Sequence, residues 1–225
     1  MANRQRAEAR RKAQAKAARA SGEGGSAKIW MWIVVAVVLV GGGIAIAAAM
    51  GGDDGGSASN TTDTNPFLSL PDSQPVTVTG TALTPYDSKA ATDTAIGTVA
   101  PVIEGLNFQG EAVKIDAAAD GPYMVVFLAH WCPHCNVEIP RLLDWKLQGG
   151  VPEGLKIVAV GTAVSASSVN YPPAEWFNVK GWSWPVLVDQ STGDGAAGVA
   201  AQAYGATGWP YFVIVGADGK VKARV

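Results

Sequence analysis

The sequence predicts an α/β domain, a mixed sheet with helices on both faces, preceded by one transmembrane helix. Three observations predict it. Apolar runs of strand length alternate with helical patterns from about residue 76 and close in a strand pair around Ala217-Asp218-Gly219. All the histidine and cysteine of the 225-residue chain, two of each, lies in His130-Trp131-Cys132-Pro133-His134-Cys135, directly after the apolar run 123–129. Residues 29–50 carry no charge, and about 20 apolar residues suffice to cross a bilayer.

Before Gly51, eight Lys and Arg face only Glu8 and Glu23, whereas the remainder carries nine basic and seventeen acidic residues. An acidic main domain argues against nucleic acid as a partner, because phosphate binding needs basic surface. Residues 1–28 read as a basic cytoplasmic tail and 29–50 as the membrane span. Trp30 and Trp32 stand at the entry of that span, where interfacial aromatics belong. The basic flank places the N-terminus in the cytoplasm and everything after Met50 outside it. A cleaved signal peptide ending at Ala47-Ala48-Ala49 is the alternative reading. No cysteine follows the segment closely, which excludes a lipid-modified cysteine anchor. Residues 51–75, rich in Gly, Ser, Asn, Thr, Asp and Pro, read as a flexible linker to an extracytoplasmic domain over 76–225.

Within that domain, Val76-Thr-Val-Thr79 alternates as a strand, and 102–115 reads as a hairpin turning at Asn107-Phe108-Gln109-Gly110. The strand 123–129 leads into a helix from about Cys132 to Leu147, which Pro140 should kink and Gly149-Gly150 should end. The continuous apolar run 155–160 has the pattern of a strand buried on both faces. A short helix opens at Pro172-Pro173, where proline suits the first turn. Trp184 to Val188 is the next strand, and a helix of about ten residues should end near Tyr204. Strands at 211–215 and 220–225 complete the sheet.

Two cysteines spaced C-x-x-C can close a short disulfide, and the thiolate is the nucleophile in exchange. Disulfides persist outside the cytoplasm. Both cysteines belong to one pair, so the pair reads as catalytic rather than as a structural staple.

Over roughly 97–225 the residues resemble the thioredoxin fold, and within it the membrane-anchored TlpA/ResA-like thiol–disulfide oxidoreductases. Gly97-Thr-Val-Ala-Pro101, Trp131-Cys132-Pro133-His134-Cys135-Asn-Val-Glu138-Ile-Pro140, Trp209-Pro210 before the strand 211–215, and Asp218-Gly219-Lys220-Val221 carry the resemblance. It implies a redox-active Cys132–Cys135 disulfide. Cys132 is the exposed attacking nucleophile at the helix start, where free N–H groups and the positive helix end stabilise a thiolate. Cys135, one turn on and more buried, resolves the mixed disulfide. Pro210 is implied to be the cis-proline beside the active site, with Trp131 and Trp209 placed to contact substrate.

The Pro133-His134 dipeptide matches that of DsbA, and a histidine there can stabilise the thiolate and make the disulfide more oxidising. The potentials of thioredoxin and DsbA differ by about 150 mV, roughly 7 kcal/mol. The spacing from Cys135 to Pro210 leaves little room for the helical insertion of DsbA-like proteins and fits the TlpA-like branch, with a modest insertion over 170–184. An oxidase and a cytochrome c maturation reductase therefore both stay open.

Two features depart from the family pattern. Thioredoxin's buried aspartate is replaced by Val126, leaving Glu138 as the candidate to handle the proton of Cys135. The fold normally closes with a helix after the hairpin, whereas Val225 stops inside or just after the last strand, so either the chain is incomplete or one sheet face lacks its cover.

His130, at the strand end, reads as a hydrogen-bonded packing residue. Tyr171, Trp176, Phe177, Trp182 and Trp184 read as a satellite core, with a partner-docking surface as the alternative. The expected partners are protein thiols or disulfides and a redox partner that resets the pair, with no bound cofactor. The competing function is metal binding or copper chaperoning, since two cysteines and two histidines match zinc or copper ligands. Four ligands within six residues cannot easily surround one ion. A peroxidase of the same broad fold would need one nucleophilic cysteine and no C-x-x-C.

Overall fold

A computed structural model describes residues 65–225. The expected tail, membrane span and first part of the linker lie outside the described residues. Among the described residues no helix is long and apolar enough to cross a membrane.

A 3-10 turn (Pro66–Ser69) precedes eight strands and four α-helices: β1 (Thr77–Thr79), β2 (Val102–Leu106), β3 (Ala112–Ile115), α1 (Ala117–Asp120), β4 (Tyr123–Leu128), α2 (Pro133–Leu147), β5 (Lys156–Gly161), α3 (Pro173–Val179), β6 (Val186–Val188), α4 (Val199–Ala203), β7 (Tyr211–Val215) and β8 (Val221–Arg224). β1, β2 and β3 form a small antiparallel sheet, and the main sheet runs β6-β5-β4-β7-β8. β4 is parallel to β5 and antiparallel to β7. This is a mixed sheet in a thioredoxin-like α/β fold.

β4 is the central strand of the main sheet, and all six of its residues are buried. Its side chains alternate between two cores, as strand geometry requires. Val125 and Phe127 join Ile103, Ile115, Leu187, Tyr204, Val213 and the alanines of α4. Met124, Val126 and Leu128 join Ile139 and Leu142 of α2 and Trp176 and Phe177 of α3. Helices therefore cover both faces of the sheet. β5 is buried at five of its six positions, as its unbroken apolar run requires.

α2 starts with Pro133 in its first turn and Cys132 at the N-cap, and it runs unbroken through Pro140. Pro140 offers no N–H to the Asn136 carbonyl. After α2, Gly149 takes a φ of +70°, the left-handed conformation that glycine supplies at a helix end.

Three expectations change. The helix expected to span about ten residues before Tyr204 is the five-residue α4. The cause is Asp189, whose buried carboxylate accepts the N–H groups of Ala200 at 2.8 Å and Ala201 at 3.1 Å and so fixes where the helix starts. Gly198 leaves the room for it, since a Cβ there would lie 2.4 Å from the Asp189 carboxylate. β6 begins at Val186 rather than Trp184, because Pro185 has no N–H for the ladder.

Residues 65–75, expected to end a flexible linker, are tied to the domain. Phe67 and Leu70 pack on the α2–α3 core. Asn65 Nδ2 donates to Glu175 at 2.7 Å, and Tyr171 OH donates to Asp72 at 2.9 Å. The N–H of Gln74 donates to Asp189 O at 3.4 Å. At the other end of the domain no helix follows β8 among the described residues, and Phe212 and Ile214 are half-buried between fully buried neighbours.

β8 is locked to the segment before β2 by Arg224. Its side chain is 1% exposed and pairs with Asp93, whose Oδ2 accepts Nε at 2.7 Å. Nη1 also donates to Thr84 O at 2.7 Å. Arg224 holds the Asp93 carboxyl below the usual carboxylate range, so this pair contributes its full stability above about pH 4 and loses it as pH falls further. Asp93→Asn leaves the buried guanidinium without its counter-ion and should cost about 3 kcal/mol at pH 7. Denaturant melts across pH should show the gap between wild type and variant closing below about pH 4. A gap that does not change with pH would contradict the assignment.

Candidate active site

The chain leaves the central strand at Leu128 and turns at once, with the Cys132 N–H donating to Ala129 O at 3.1 Å. The antiparallel register of β4 and β7 pairs Phe127 with Tyr211. That register delivers the Trp209–Pro210 peptide, which is cis, to the same end of the sheet as the Cys-Pro-His-Cys turn. Cys132 Sγ donates to Trp209 O at 3.3 Å. Two segments far apart in sequence thus meet at Cys132, the expected nucleophile.

Both cysteines are free and buried. Cys132 was expected to be exposed and is only 4% exposed, while Cys135 is fully buried. The apolar side chains around Cys132, with half-buried Trp131 and Trp209 packed on them, account for this. Burial pushes the Cys135 thiol up, and the Ala129 backbone opposes this only in part. Val126, at the position of thioredoxin's aspartate, is fully buried. Glu138, the expected proton handler, is paired with Arg141 at 3.3 Å. Pro133 and His134 are exposed on the first turn of α2.

His130 is 1% exposed and serves as a structural hub. Its Nδ1 lies 2.9 Å from Val169 O and its Nε2 accepts the Ser165 N–H at 3.3 Å. A carbonyl can only accept, so Nδ1 carries the proton and the ring is neutral. Burial lowers its pKa in keeping with that state. The His130 carbonyl accepts Asn170 Nδ2 at 2.9 Å and Asn136 Nδ2 at 3.3 Å. Trp131 Nε1 donates to Ala163 O at 2.6 Å. Through these bonds the segment 163–170 is bolted to the residues that open the motif.

Asn136 and Asn170 were not singled out by the sequence. Their spacing to His130 and Cys132 carries no motif, and only the fold brings their amides onto those carbonyls. The insertion aromatics do not form a separate satellite core: Trp176 and Phe177 belong to the core on the α2 face of the sheet, Trp182 and Trp184 pack against it, with Phe177 and Trp182 at 6.0 Å and Trp182 and Trp184 at 5.1 Å between ring centroids, and Tyr171 instead donates to Asp72.

Of the ligands the metal-site alternative would use, His130 is engaged elsewhere. Both nitrogens of His130 are engaged, and among the described residues no group of three or more His, Cys, Asp or Glu is placed to hold an ion. A cleft of about 410 Å³ adjoins the cis peptide, lined by Tyr86, Asp87, Thr207, Trp209, Pro210 and Val225 among others. A second cleft of about 410 Å³, at Tyr123, Lys156 and Trp184, lies where β4 and β5 begin, at the end of the sheet away from the thiols.

Comparison with known proteins agrees with this geometry at the level of family. The AhpC/TSA family model matches residues 96–224. Among solved structures, the chain is similar to the thioredoxin domain of a thiol-disulfide oxidoreductase from Bacteroides vulgatus, with 23% identity, TM-score 0.45, and coverage of 58% of this chain and 87% of that one. It is similar to a putative thiol:disulfide interchange protein DsbE from Chlorobium tepidum, with 21% identity, TM-score 0.45, and coverage of 57% and 83%. It is also similar to dsbF from MTB, with 20% identity, TM-score 0.43, and coverage of 54% and 81%. No curated protein matches. The chain belongs to the AhpC/TSA family.

Proposed function

We propose that this protein performs thiol–disulfide exchange on protein substrates outside the cytoplasm, through the Cys132–Cys135 pair of a domain anchored by residues 29–50. The observation that carries the reading is the meeting of Cys132, the α2 N-terminus and the Trp209–Pro210 peptide, with Sγ 3.3 Å from Trp209 O. The cleft that Trp209 and Pro210 help to line offers room for an extended substrate segment.

In the reductive direction, the Cys132 thiolate attacks a substrate disulfide. One substrate sulfur leaves with the bonding electrons and is protonated, and a Cys132–substrate mixed disulfide remains. Cys135 then attacks the Cys132 sulfur. The second substrate sulfur leaves and takes up the proton that Cys135 gives up. Two electrons pass to the substrate, and the enzyme holds the Cys132–Cys135 disulfide. Oxidation of a substrate dithiol is the same sequence reversed. Because Cys132 is buried and its Sγ donates to Trp209 O, substrate must displace that bond. The exposed His134 lies between the two cysteines, where a positive charge would favour the reduced form and an oxidase role.

The Cys135→Ser variant should trap the mixed disulfide, while Cys132→Ser should abolish exchange altogether. Non-reducing electrophoresis with a disulfide-bonded substrate protein would show the trapped adduct. A Cys135→Ser variant that forms no adduct but consumes hydrogen peroxide at the wild-type rate would instead establish a one-cysteine peroxide reaction. Protease treatment of intact cells should remove the domain if it faces outward. Full protection of the domain in intact cells, with digestion after lysis, would contradict the proposed location.

A further inference from the structure

We infer that Asn136 is a positioning residue of the exchange site, clamping the Cys132 turn and tying it to α3 through Trp176; this rests on the exchange reading above. Asn136 Nδ2 donates to Cys132 O at 2.9 Å and to His130 O at 3.3 Å. Its Oδ1 accepts from Trp176 Nε1 at 3.0 Å. An indole N–H only donates and a carbonyl only accepts, so a single amide orientation satisfies all three bonds. The two carbonyls held by Nδ2 bracket Trp131 and run up to the nucleophile.

The other end of the clamp is anchored in the core. Trp176 is 3% exposed, and its ring meets Phe177 at 4.9 Å. The Cys132 carbonyl also takes the Asn136 backbone N–H at 3.2 Å. Cys132 caps α2 with no side-chain bond of its own to the helix. The Asn136 side chain therefore adds the restraint that the cysteine side chain does not supply.

The step that needs this restraint is resolution of the mixed disulfide. There the Cys132–substrate S–S bond breaks and the Cys132–Cys135 bond forms, with the substrate sulfur leaving and taking the Cys135 proton. Its rate depends on how well the two cysteines are held relative to each other. The first attack involves a sulfur arriving from outside and depends on the clamp much less.

The test uses the reduced full-length protein and glutathione disulfide, with rapid acid quench and mass spectrometry of the Cys132–glutathione adduct. Trp176→Phe keeps an aromatic ring but removes the N–H, and it should lengthen the adduct's lifetime by about threefold to tenfold with adduct formation changed by less than about twofold. Asn136→Leu should do the same at the upper end of that range. The double variant should be no slower than Asn136→Leu, because both remove one connection. Asn136→Asp keeps the acceptor for Trp176 but has no donor for the two carbonyls, so it should resemble Asn136→Leu. Unchanged adduct lifetime in folded Trp176→Phe, or single effects that multiply in the double variant, would overturn the inference while leaving exchange standing. If Asn136→Leu does not fold, the Trp176→Phe lifetime decides alone. A wild-type protein that forms neither the adduct nor the Cys132–Cys135 disulfide would overturn the exchange reading itself.

Discussion

The contact between Cys132 Sγ and Trp209 O, 3.3 Å across 77 residues of sequence, is the point on which the site depends. It exists because β4 is a central strand with a parallel neighbour on one side and an antiparallel neighbour on the other. The strand that ends in the cysteine turn is thereby paired with the strand that the Trp209–Pro210 peptide leads into. Burial of all six β4 residues leaves no freedom to slide, since a one-residue slip would exchange the two cores. The proposed exchange site therefore takes its geometry from a strand buried at every position.

Around that fixed point the polar contacts are few and are satisfied in specific pairs. Neutral His130 joins the strand end to the 163–170 segment through both ring nitrogens. The Asn136 amide joins the cysteine turn to α3. Each is a donor–acceptor arrangement with one workable proton placement, which gives the buried turn a single conformation. Cys135, the proposed resolving cysteine, lies beneath this layer with burial raising its pKa. That arrangement suits a thiol that attacks only when the substrate sulfur is ready to leave.

Much of this was legible in the residues because local rules decide it. Pro133 after an apolar run, Gly149 after the helix, the 217–219 turn and the two-faced apolar strands set the element order without long-range help. What was not legible depends on contacts between distant segments. The start of α4 is fixed by Asp189, 11 residues before Ala200. The acceptor that Cys132 Sγ meets lies 77 residues downstream, so an exposed nucleophile was the natural expectation from the motif alone. The docked segment 65–75 has the composition of a linker, but Tyr171 and Glu175 supply partners for it that composition does not reveal. Asn136 reads as an ordinary helix residue until Trp176, 40 positions on, donates to it.

The central claim is that Cys132 and Cys135 form a reversible redox pair, and equilibration with glutathione tests it most directly. The expected result is a single two-electron transition between dithiol and intramolecular disulfide. A potential near about −120 mV would place the protein among oxidants, and one near about −270 mV among reductants. Absence of the intramolecular disulfide at every glutathione poise would contradict the account.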